Sequence, residues 1–493
     1  MEVRYRSTRG AESGVSASRA IIKGLSEDGG LFVPERIPAF DFDVTELAGM
    51  DYKETAYRVM RLLLSDFTEE ELRGCIEKAY DSKFDVPEIA PLVKHGDRYF
   101  LELFHGKTIA FKDMALSILP HLLTCAMKKN RMEQKVVILT ATSGDTGKAA
   151  LAGFSDVEGT QIIVFYPKGG VSRIQELQMV TEKGKNTKVI GVNGNFDDCQ
   201  SNVKAIFSDK VLKEELAKKG FAFSSANSIN IGRLVPQIAY YVWAYGRLLK
   251  SGEIQPDDKV NFTVPTGNFG NILAAYYAKR MGLPVHKLIC ASNENNVLFD
   301  FFHTGIYNKN REFILTSSPS MDILISSNLE RLIFHIAGDD TEKTKELMLS
   351  LSNSGRYEIT DAMKTGLSDF YSAYAKEEEV FDTIREVYEN DGYVIDTHTA
   401  VAAFAEGKYR REENDSAKNV IISTASPFKF AGNVLKAIGR DTDSADDFAT
   451  LEELSRIAKI DIPNAVKEIR NADILHKTVC DPSEMEKLVI ETL

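Results

Sequence analysis

Short apolar runs rich in valine and isoleucine alternate with helical stretches along this chain from about residue 97 onward. The runs span residues 136–139, 162–166, 188–192, 221–224, 260–264, 287–291 and 419–423. Alternation of this kind is typical of βαβ units, because two parallel strands must be joined by a crossover that is usually a helix. The pattern therefore predicts an α/β fold with a mainly parallel sheet.

Residues 1–95 lack these repeated strand–loop–helix units. They contain two predicted helices, near 53–65 and 68–80, and Thr68 followed by Glu71 forms a capping-box pattern at the start of the second. We predict a helical N-terminal module over 1–95 and a main body over 96–493. Two stretches of the body also read as helical: the charged segment 320–393, predicted to be an insertion, and the acidic segment 440–493.

The composition narrows the class of protein. A net charge of −12 over 493 residues argues against a nucleic-acid or anionic-membrane surface. The five cysteines form no CxxC pair, which favours a reducing compartment. No apolar run approaches the roughly 20 residues of a membrane span, and the N-terminus has no apolar signal core. These features predict a soluble cytoplasmic protein. The acidic clusters 197–198 and 377–379 have no histidine at ligand spacing, so no metal site is predicted.

Lys112 follows Phe111 and precedes the apolar, helix-like stretch 114–127. A lysine in such surroundings is expected to be partly buried, and burial lowers its pKa by disfavouring the charged ammonium. A lowered pKa is what an amine nucleophile or Schiff-base former requires. Because most lysines are solvated surface charges, this prediction depends on the neighbouring segments.

Residues 260–278 read as a buried strand, a Gly/Asn loop and a helix that starts near Asn271. Gly267 and Gly270 allow backbone N–H groups to converge on an anion at the helix N-terminus, where the macrodipole favours negative charge. The chain has neither a dinucleotide-binding nor a Walker-type glycine motif, and residues 144–148 resemble the latter only superficially. The loop is therefore predicted to hold a single phosphate.

Two further strands lead into polar turns. Residues 136–150 read as a strand, a hydroxyl-rich loop with Ser143 and Thr146, and a helix N-terminus that suits a carboxylate; an ordinary N-cap is the alternative. Residues 420–430 run from a strand into a short polar turn. One lysine, one phosphate loop, one carboxylate loop and one hydroxyl at a strand end suit pyridoxal phosphate (PLP) acting on an amino acid.

The ordered set of segments resembles the threonine synthases of the longer bacterial and fungal type, within the tryptophan-synthase-β-like PLP enzymes of fold type II. The matching segments lie at 5–9, 28–34, 105–113, 140–147, 224–230, 267–271 and 423–430. The resemblance implies two open α/β lobes with PLP between them and an active site at the carboxyl ends of strands. The smaller lobe is expected over about 131–232, and the larger over about 96–130 and 233–493.

The resemblance also implies residue roles. Lys112 is expected to carry PLP covalently and to shuttle protons, and Thr424 to contact the pyridine nitrogen. The residues that match the cofactor-phosphate loop are Gly267, Asn268, Phe269, Gly270 and Asn271. Those that match the loop for the substrate carboxylate are Ser143, Gly144, Asp145 and Thr146. The candidates for the substrate phosphate are Asn227, Asn230 and Arg233, with Ser172 and Arg173 as further possibilities.

The implied reaction converts O-phospho-L-homoserine and water into L-threonine and phosphate, by eliminating the γ-phosphate and adding water at Cβ. The sequence departs from the family's usual pattern at three positions. Lys107 stands where proline is usual, and Ser426 and Phe428 replace histidine and alanine. None of these changes removes a group with an implied chemical role, but Lys107 adds a positive charge near the site.

Three other functions remain open from the sequence. A related phospho-lyase would keep every cofactor motif but release a 2-oxo acid, ammonia and phosphate. A PLP-binding protein without catalysis is disfavoured because Lys112 occurs together with both anion loops. A nucleotide-binding Rossmann enzyme is disfavoured by the missing glycine fingerprint. A monomer or a homodimer is expected.

Overall fold

The computed structural model describes residues 2–142, 144–440 and 446–493. The strands in these ranges are β1 (Tyr5–Ser7), β2 (Phe32–Pro34), β3 (Leu92–His95), β4 (Arg98–Glu102), β5 (Lys135–Ala141), β6 (Thr160–Pro167), β7 (Thr187–Val192), β8 (Phe221–Ser224), β9 (Val260–Pro265), β10 (Val285–Ser292), β11 (Ile306–Asn308), β12 (Arg356–Glu358), β13 (Phe370–Tyr374), β14 (Asn419–Ser423) and β15 (Val479–Cys480).

The α-helices are α1 (Ala17–Lys23), α2 (Tyr52–Leu63), α3 (Glu69–Ala79), α4 (Lys112–Leu116), α5 (Leu119–Lys129), α6 (Asp145–Phe154), α7 (Arg173–Val180), α8 (Phe196–Ser208), α9 (Lys210–Lys218), α10 (Ile231–Lys250), α11 (Gly270–Met281), α12 (Val297–Thr304), α13 (Leu329–Ile336), α14 (Thr341–Ser354), α15 (Asp361–Thr365), α16 (Glu377–Asp391), α17 (Thr397–Glu413), α18 (Ala431–Ala437), α19 (Asp447–Ala458), α20 (Asn464–Lys467) and α21 (Met485–Thr492). Short 3₁₀ turns span Val44–Gly49, Pro319–Met321, Pro427–Phe430 and Pro482–Glu484.

Two mainly parallel sheets organise the main body. The larger has the order β13-β10-β9-β14-β4-β3, and within it only the edge pair β3–β4 is antiparallel. The smaller has the order β15-β7-β6-β5-β8 and is parallel throughout. All seven strands predicted from the sequence are present, and the α/β class is confirmed.

Helices cover both faces of the larger sheet, which explains why its central strands are buried along their whole length. Every residue of β9 and β14 is buried. The 20-residue helix α10 packs against α11 and α2, and α17 packs against β9, β10 and β14. The strands next to the site are therefore held on both sides, and this fixes the positions at which their carboxyl ends deliver the loops.

The N-terminal module contains both predicted helices as α2 and α3. Thr68 caps α3 through the expected reciprocal pair: the Glu71 N–H donates to Thr68 Oγ1 over 3.2 Å, and the Thr68 N–H donates to Glu71 Oε2 over 2.8 Å. The module also contains an antiparallel ribbon, β1–β2, that the helical prediction omitted. The predicted boundary at residues 95/96 falls between β3 and β4, inside one hairpin of the larger sheet.

Two regions differ from the sequence-based description. The segment 320–393 is not wholly helical, because β13 lies within it and forms the edge of the larger sheet, parallel to β10. At the C-terminus, β15 pairs with β7 and α21 packs against α8, so residues 479–493 belong with the smaller sheet and not with the larger lobe. In both cases pairing between distant segments decides the outcome, and periodicity along the chain does not reveal it.

Candidate active site

The loops that follow β4, β5, β9 and β14 converge at the carboxyl ends of these parallel strands. In open α/β sheets this edge is where ligands bind. Among the described residues, no helix is both long enough and apolar enough to cross a bilayer.

The loop before Lys112 is fastened to the end of β14. The Phe111 N–H donates to the Thr424 carbonyl over 2.8 Å, and the Ser426 N–H donates to the Ile109 carbonyl over 3.1 Å. Lys112 is the first residue of α4, which begins without a side-chain cap. These backbone bonds place Thr424 beside Lys112, although more than 300 residues separate them in the sequence.

Lys112 has the buried setting that its neighbours in the sequence predict. Its side chain is 15% exposed, and burial lowers the pKa of its amine to about 8, with the ammonium of Lys429 and the guanidinium of Arg233 acting in the same direction. The carboxylate of Asp145 opposes the shift, at 3.5 Å from Oδ2 to Lys112 Nζ. With a pKa near 8, about a tenth of the amine is neutral at pH 7, against less than about a thousandth for an exposed lysine.

Asp145 is the centre of a buried charge cluster. Its Oδ1 lies 2.6 Å from Lys429 Nζ and 3.8 Å from Lys148 Nζ, and its Oδ2 accepts a 2.8 Å hydrogen bond from Ser320 Oγ. Burial alone would raise the pKa of Asp145, but the three ammonium groups of Lys429, Lys112 and Lys148 hold it well below its usual range. Asp145 is therefore ionised, and its side chain acts as a counter-ion and not as a ligand for another carboxylate.

Lys148, Lys429 and Ser320 are members of the site that the sequence analysis did not identify. For the two lysines a signal exists in the sequence. Lys148 follows Gly147 and precedes two alanines, and Lys429 lies between Phe428 and Phe430. Lysines in such small or aromatic surroundings are expected to be buried, by the same reasoning that singled out Lys112. Ser320 gives no such signal, because a 3₁₀ turn brings it to Asp145 from 175 residues away.

Two helix N-termini open toward the site with first-turn N–H groups that no described side chain caps: those of Asp145 and Thr146 in α6, and those of residues 270–272 in α11. Helix α6 starts after Gly144, and Thr142 Oγ1 accepts the N–H groups of Gly144 and Gly147 at 3.0 and 3.2 Å, which fixes the turn. Helix α11 starts after Phe269, whose φ of 65° lies in the left-handed region. Uncapped first-turn N–H groups bind anions, because they lack partners and stand at the positive end of the dipole.

The loop 267–271 is held from behind by residues 326–328. Ser326 Oγ donates to the Gly267 carbonyl over 2.7 Å, and the Asn328 N–H donates to the Asn268 carbonyl over 3.1 Å. The Asn271 side chain accepts hydrogen bonds from two tyrosine hydroxyls, while its buried Nδ2 has no partner among the described residues. The carbonyls of Gly267 and Asn268 thus already have hydrogen-bond donors in residues 326–328. This leaves the N–H groups of the loop for an anion.

The residues predicted for the substrate phosphate are placed differently from one another. Asn227 is exposed. Asn230 is fully buried and caps α10, and its side chain is bonded to the carbonyls of Ile21 and Ser225 and to the Gly232 N–H. Arg233 is 3% exposed and donates to the Ala226 carbonyl, but its Nε has no partner in the part of the chain that the structure describes. Burial lowers the pKa of Arg233 to about 10.

The remaining predicted residues belong to the starts of α7 and α6. Ser172 caps α7 and Arg173 is exposed and paired with Glu176. Gly144 is buried, and Thr146, half-buried, lies in the first turn of α6. Ser143 lies outside the described residues.

These features fit a ligand with an electrophilic carbon and a phosphate, which are the two groups that PLP presents. Lys112 supplies an amine of lowered pKa, and the uncapped start of α11 supplies N–H groups for a phosphate. Thr424, which is 5% exposed, directly follows β14 beside Lys112 and supplies a hydroxyl. Arg233 Nε and Asn271 Nδ2 are buried donors in need of acceptors.

His105, in the loop that leads to Lys112, should make stability depend on pH. Burial would lower its pKa, but hydrogen bonds to Asp85 at 2.7 Å and Glu102 at 2.9 Å raise it to about 9, from 6.5. The protonated ring therefore stabilises the fold fully below pH 6.5, and this contribution is lost as the pH rises through about 9. We expect the free energy of unfolding of the wild type to fall relative to that of His105→Gln between these limits, by on the order of 3 kcal/mol. Parallel curves for the two proteins would rule the ion pairs out.

Comparison with known proteins gives three matching family descriptions in succession: "Threonine synthase N terminus" over residues 4–80, "Pyridoxal-phosphate dependent enzyme" over 85–426, and "Threonine synthase, C-terminal" over 399–473. The threonine synthase of Saccharomyces cerevisiae is 36% identical over 502 residues, covering 95% of this chain and 96% of that one. The human protein named threonine synthase-like 1 is 40% identical over 435 residues, covering 85% of this chain and 58% of that one.

A solved structure gives the same result at the level of the fold. The PLP-bound threonine synthase of Brucella melitensis superposes with a TM-score of 0.86 at 33% identity, covering 100% of this chain and 99% of that one. The family descriptions, the full-length relatives and the fold all agree. The chain belongs to the threonine synthase family of pyridoxal-phosphate-dependent enzymes.

Proposed function

We propose that this protein converts O-phospho-L-homoserine and water into L-threonine and phosphate. Cβ loses a proton, the C–O bond at Cγ breaks and releases phosphate, and Cγ gains a proton. Water then adds its hydroxyl to Cβ and its remaining proton goes to the phosphate, so the atoms of substrate and water are all found in the two products. The observation that supports this most strongly is the position of Lys112: a buried amine with a pKa near 8 lies beside the ionised Asp145, at the edge where two uncapped helix N-termini meet.

The proposed cofactor residues follow from this arrangement. Lys112 would hold PLP covalently, and the N–H groups of residues 267–271 would hold its phosphate at the start of α11. Thr424 would contact the pyridine nitrogen. A neutral hydroxyl does not enforce protonation of that nitrogen as a carboxylate would. When bound, PLP supplies an electron sink for negative charge that develops next to the substrate amine.

Lys112 also has the properties needed to move protons. Its amine is neutral in a substantial fraction of molecules near pH 7, so it can take a proton from Cα and return one at a neighbouring carbon. A tethered base reaches adjacent carbons without a second encounter. Asp145 keeps the amine near this intermediate pKa, because its charge opposes the effect of burial.

The proposed substrate residues bind the two anionic ends. The N–H groups of Asp145 and Thr146, in the first turn of α6, would bind the α-carboxylate. Arg233 would contribute to the phosphate end, since its Nε is buried and lacks a partner among the described residues. The full engagement of Asn230 in capping α10 makes it a positioning residue for Arg233, and the exposed Asn227 would reach only the periphery.

The glycine loop gives a specific prediction. Gly270→Asp should weaken PLP binding at least about tenfold, because it adds a Cβ and a negative charge where an anion approaches the backbone. The new Cβ would lie 3.3 Å from Asn328 Nδ2, which is tight but tolerable, whereas at Gly267 it would meet the Ser320 carbonyl at 2.9 Å and disturb the backbone. Gly74→Asp, in open space on α3, is the control. Retention of PLP on dialysis measures the effect. If Gly270→Asp retained PLP fully, the loop would be an ordinary turn that does not bind the cofactor phosphate.

Product analysis tests the function. We expect threonine and phosphate to appear in equal amounts from O-phospho-L-homoserine. Release of a 2-oxo acid and ammonia with the phosphate would instead establish the phospho-lyase. A cytoplasmic location and a monomeric or homodimeric state remain predictions, the second of which light scattering after size exclusion would decide.

A further inference from the structure

The cluster around Asp145 holds more positive charge than the protein neutralises. Four cationic groups, on Lys112, Lys148, Lys429 and Arg233, lie near two buried carboxylates, those of Asp145 and Asp113. The side chains of Lys148 and Lys429 are only 2% and 3% exposed, so water screens them little. Even after Lys112 has been engaged by the cofactor, the three remaining cations outnumber the two carboxylates.

The two lysines also retain donors that the protein does not use fully. Lys148 Nζ donates to Gln178 Oε1 over 2.6 Å and is 3.8 Å from Asp145. Lys429 Nζ is 2.6 Å from Asp145 Oδ1, but the approach lacks hydrogen-bond geometry, and this nitrogen has no hydrogen-bond partner among the described residues. A buried ammonium with three donors and one ionic contact calls for an additional acceptor.

We propose that Lys148 and Lys429 form a subsite for a dianionic oxyanion which, resting on the proposed function, is the phosphate ester of the substrate. A dianion is attracted to this net positive cluster more strongly than a monoanion and offers three terminal oxygens to the two ammonium groups. A carboxylate has one charge and two oxygens, so it is attracted more weakly and leaves more of these donors without an acceptor. The subsite therefore gives the enzyme a preference for a phosphate ester over an acyl ester on the same carbon chain.

The other anions of the reaction have separate places. The cofactor phosphate is proposed at the start of α11, where the loop 267–271 supplies N–H groups, and the α-carboxylate at the start of α6. Lys429 lies beyond Thr424 in the turn Pro427–Phe430, and Lys148 is one turn into α6. Lys148 thus lies in the helix that follows β5 of the smaller sheet, and Lys429 lies in the turn that follows β14 of the larger sheet. Both side chains reach Asp145.

Binding of a dianion should be linked to proton uptake. Burial, with Lys429 acting in the same direction, lowers the pKa of Lys148 to about 7, so near neutral pH its amine is about half protonated. The charged groups around it are Lys429, Lys112, Asp145 and Asp113. A dianion placed beside Lys148 raises its pKa, and a proton is taken up from the buffer.

Two amino acids of equal chain length serve as probes. 2-Amino-5-phosphonopentanoate carries a phosphonate where the substrate carries its phosphate, and 2-aminoadipate carries a carboxylate there. We expect calorimetry to show that the wild-type holoenzyme binds the phosphonate more tightly than 2-aminoadipate. Lys148→Gln and Lys429→Gln should each reduce that preference at least about tenfold, whereas Lys128→Gln, at an exposed position on α5, should leave it unchanged.

Calorimetry of the wild type at pH 8.5, where the phosphonate is already a dianion and the Lys148 amine is mostly neutral, should show more proton uptake with the phosphonate than with 2-aminoadipate when two buffers of different ionisation enthalpy are compared. Lys148→Gln should lose this uptake while retaining PLP. Proton uptake is measured on the wild type alone, so the proposal can still be tested if a glutamine variant fails to fold. Absence of uptake, or an unchanged preference in both variants, would overturn the subsite. Loss of PLP without loss of the preference would assign the lysines to the cofactor phosphate.

The test of the dianion subsite can fail or succeed independently of the test of the proposed reaction. If the wild type forms threonine but prefers the phosphonate independently of both lysines, the function stands and the subsite is wrong. If no threonine forms but the preference and the proton uptake require the lysines, the dianion subsite stands and the function is wrong.

Discussion

Lys112→Ala is expected to abolish threonine formation, lowering the rate by at least about a thousandfold, because the variant loses both the covalent attachment point and the proton-transferring amine. The purified wild type should be yellow, and borohydride reduction should fix the cofactor onto the peptide that contains Lys112. The variant should show neither property. Lys112→Arg should behave like the alanine variant, since an arginine keeps the charge but supplies no neutral amine.

The matched control is Lys107→Ala. Lys107 is exposed and lies five residues earlier in the same loop, so its replacement tests whether any lysine in this region suffices. We expect the control to retain the cofactor on Lys112 and a near-normal rate. A Lys112→Ala enzyme that turned over at a comparable rate would remove this residue from the mechanism.

Among the substitutions described, Asp145→Asn should lower the free energy of unfolding the most. It leaves Lys112, Lys148 and Lys429 buried without their counter-ion, a change that typically costs about 3–5 kcal/mol. Asparagine preserves the shape and can still accept from Ser320, so loss of packing is small. The cofactor-free protein should show a lower denaturation midpoint than the wild type, whereas Asp197→Asn, at an exposed position on α8, should not.

The loss of stability in Asp145→Asn, relative to the wild type, should also depend on pH in a defined direction. Without the carboxylate the buried amines are neutral in the folded protein but charged in the unfolded chain, so folding requires them to release protons. Stability then rises with pH wherever the unfolded state binds more protons. We therefore expect the difference from the wild type to shrink between pH 7 and pH 9. A constant difference over this range would indicate that Asp145 acts through packing.

The sequence predicted those parts of the fold and the site that depend on local pattern. Seven strands, α2 and α3, and the loop 267–271 all follow from short-range periodicity and turn chemistry. Strand β13, a five-residue run without regular alternation in a charged region, becomes a strand because β10 lies beside it. The two-residue strand β15 is likewise defined only by its pairing with β7.

The same distinction applies to the active site. Lys112 was recognisable because its neighbours in the sequence imply burial. The role of Asp145 changed once the structure showed what surrounds it: the loop 143–146 suggested a carboxylate-binding turn, but the aspartate side chain is the ionised partner of three lysines. Lys148, Lys429 and Ser320 come from separate loops, and only the folded chain brings them to one carboxylate.

One isotope measurement tests most directly whether this chain performs the proposed reaction. O-Phospho-L-homoserine would be converted in water enriched in ¹⁸O, and both products analysed by mass spectrometry. Elimination at Cγ followed by addition of water at Cβ predicts one ¹⁸O atom in the threonine hydroxyl and none in the phosphate. Phosphate that carries the label, together with unlabelled homoserine, would mean that the P–O bond is cleaved, and would contradict the proposed function.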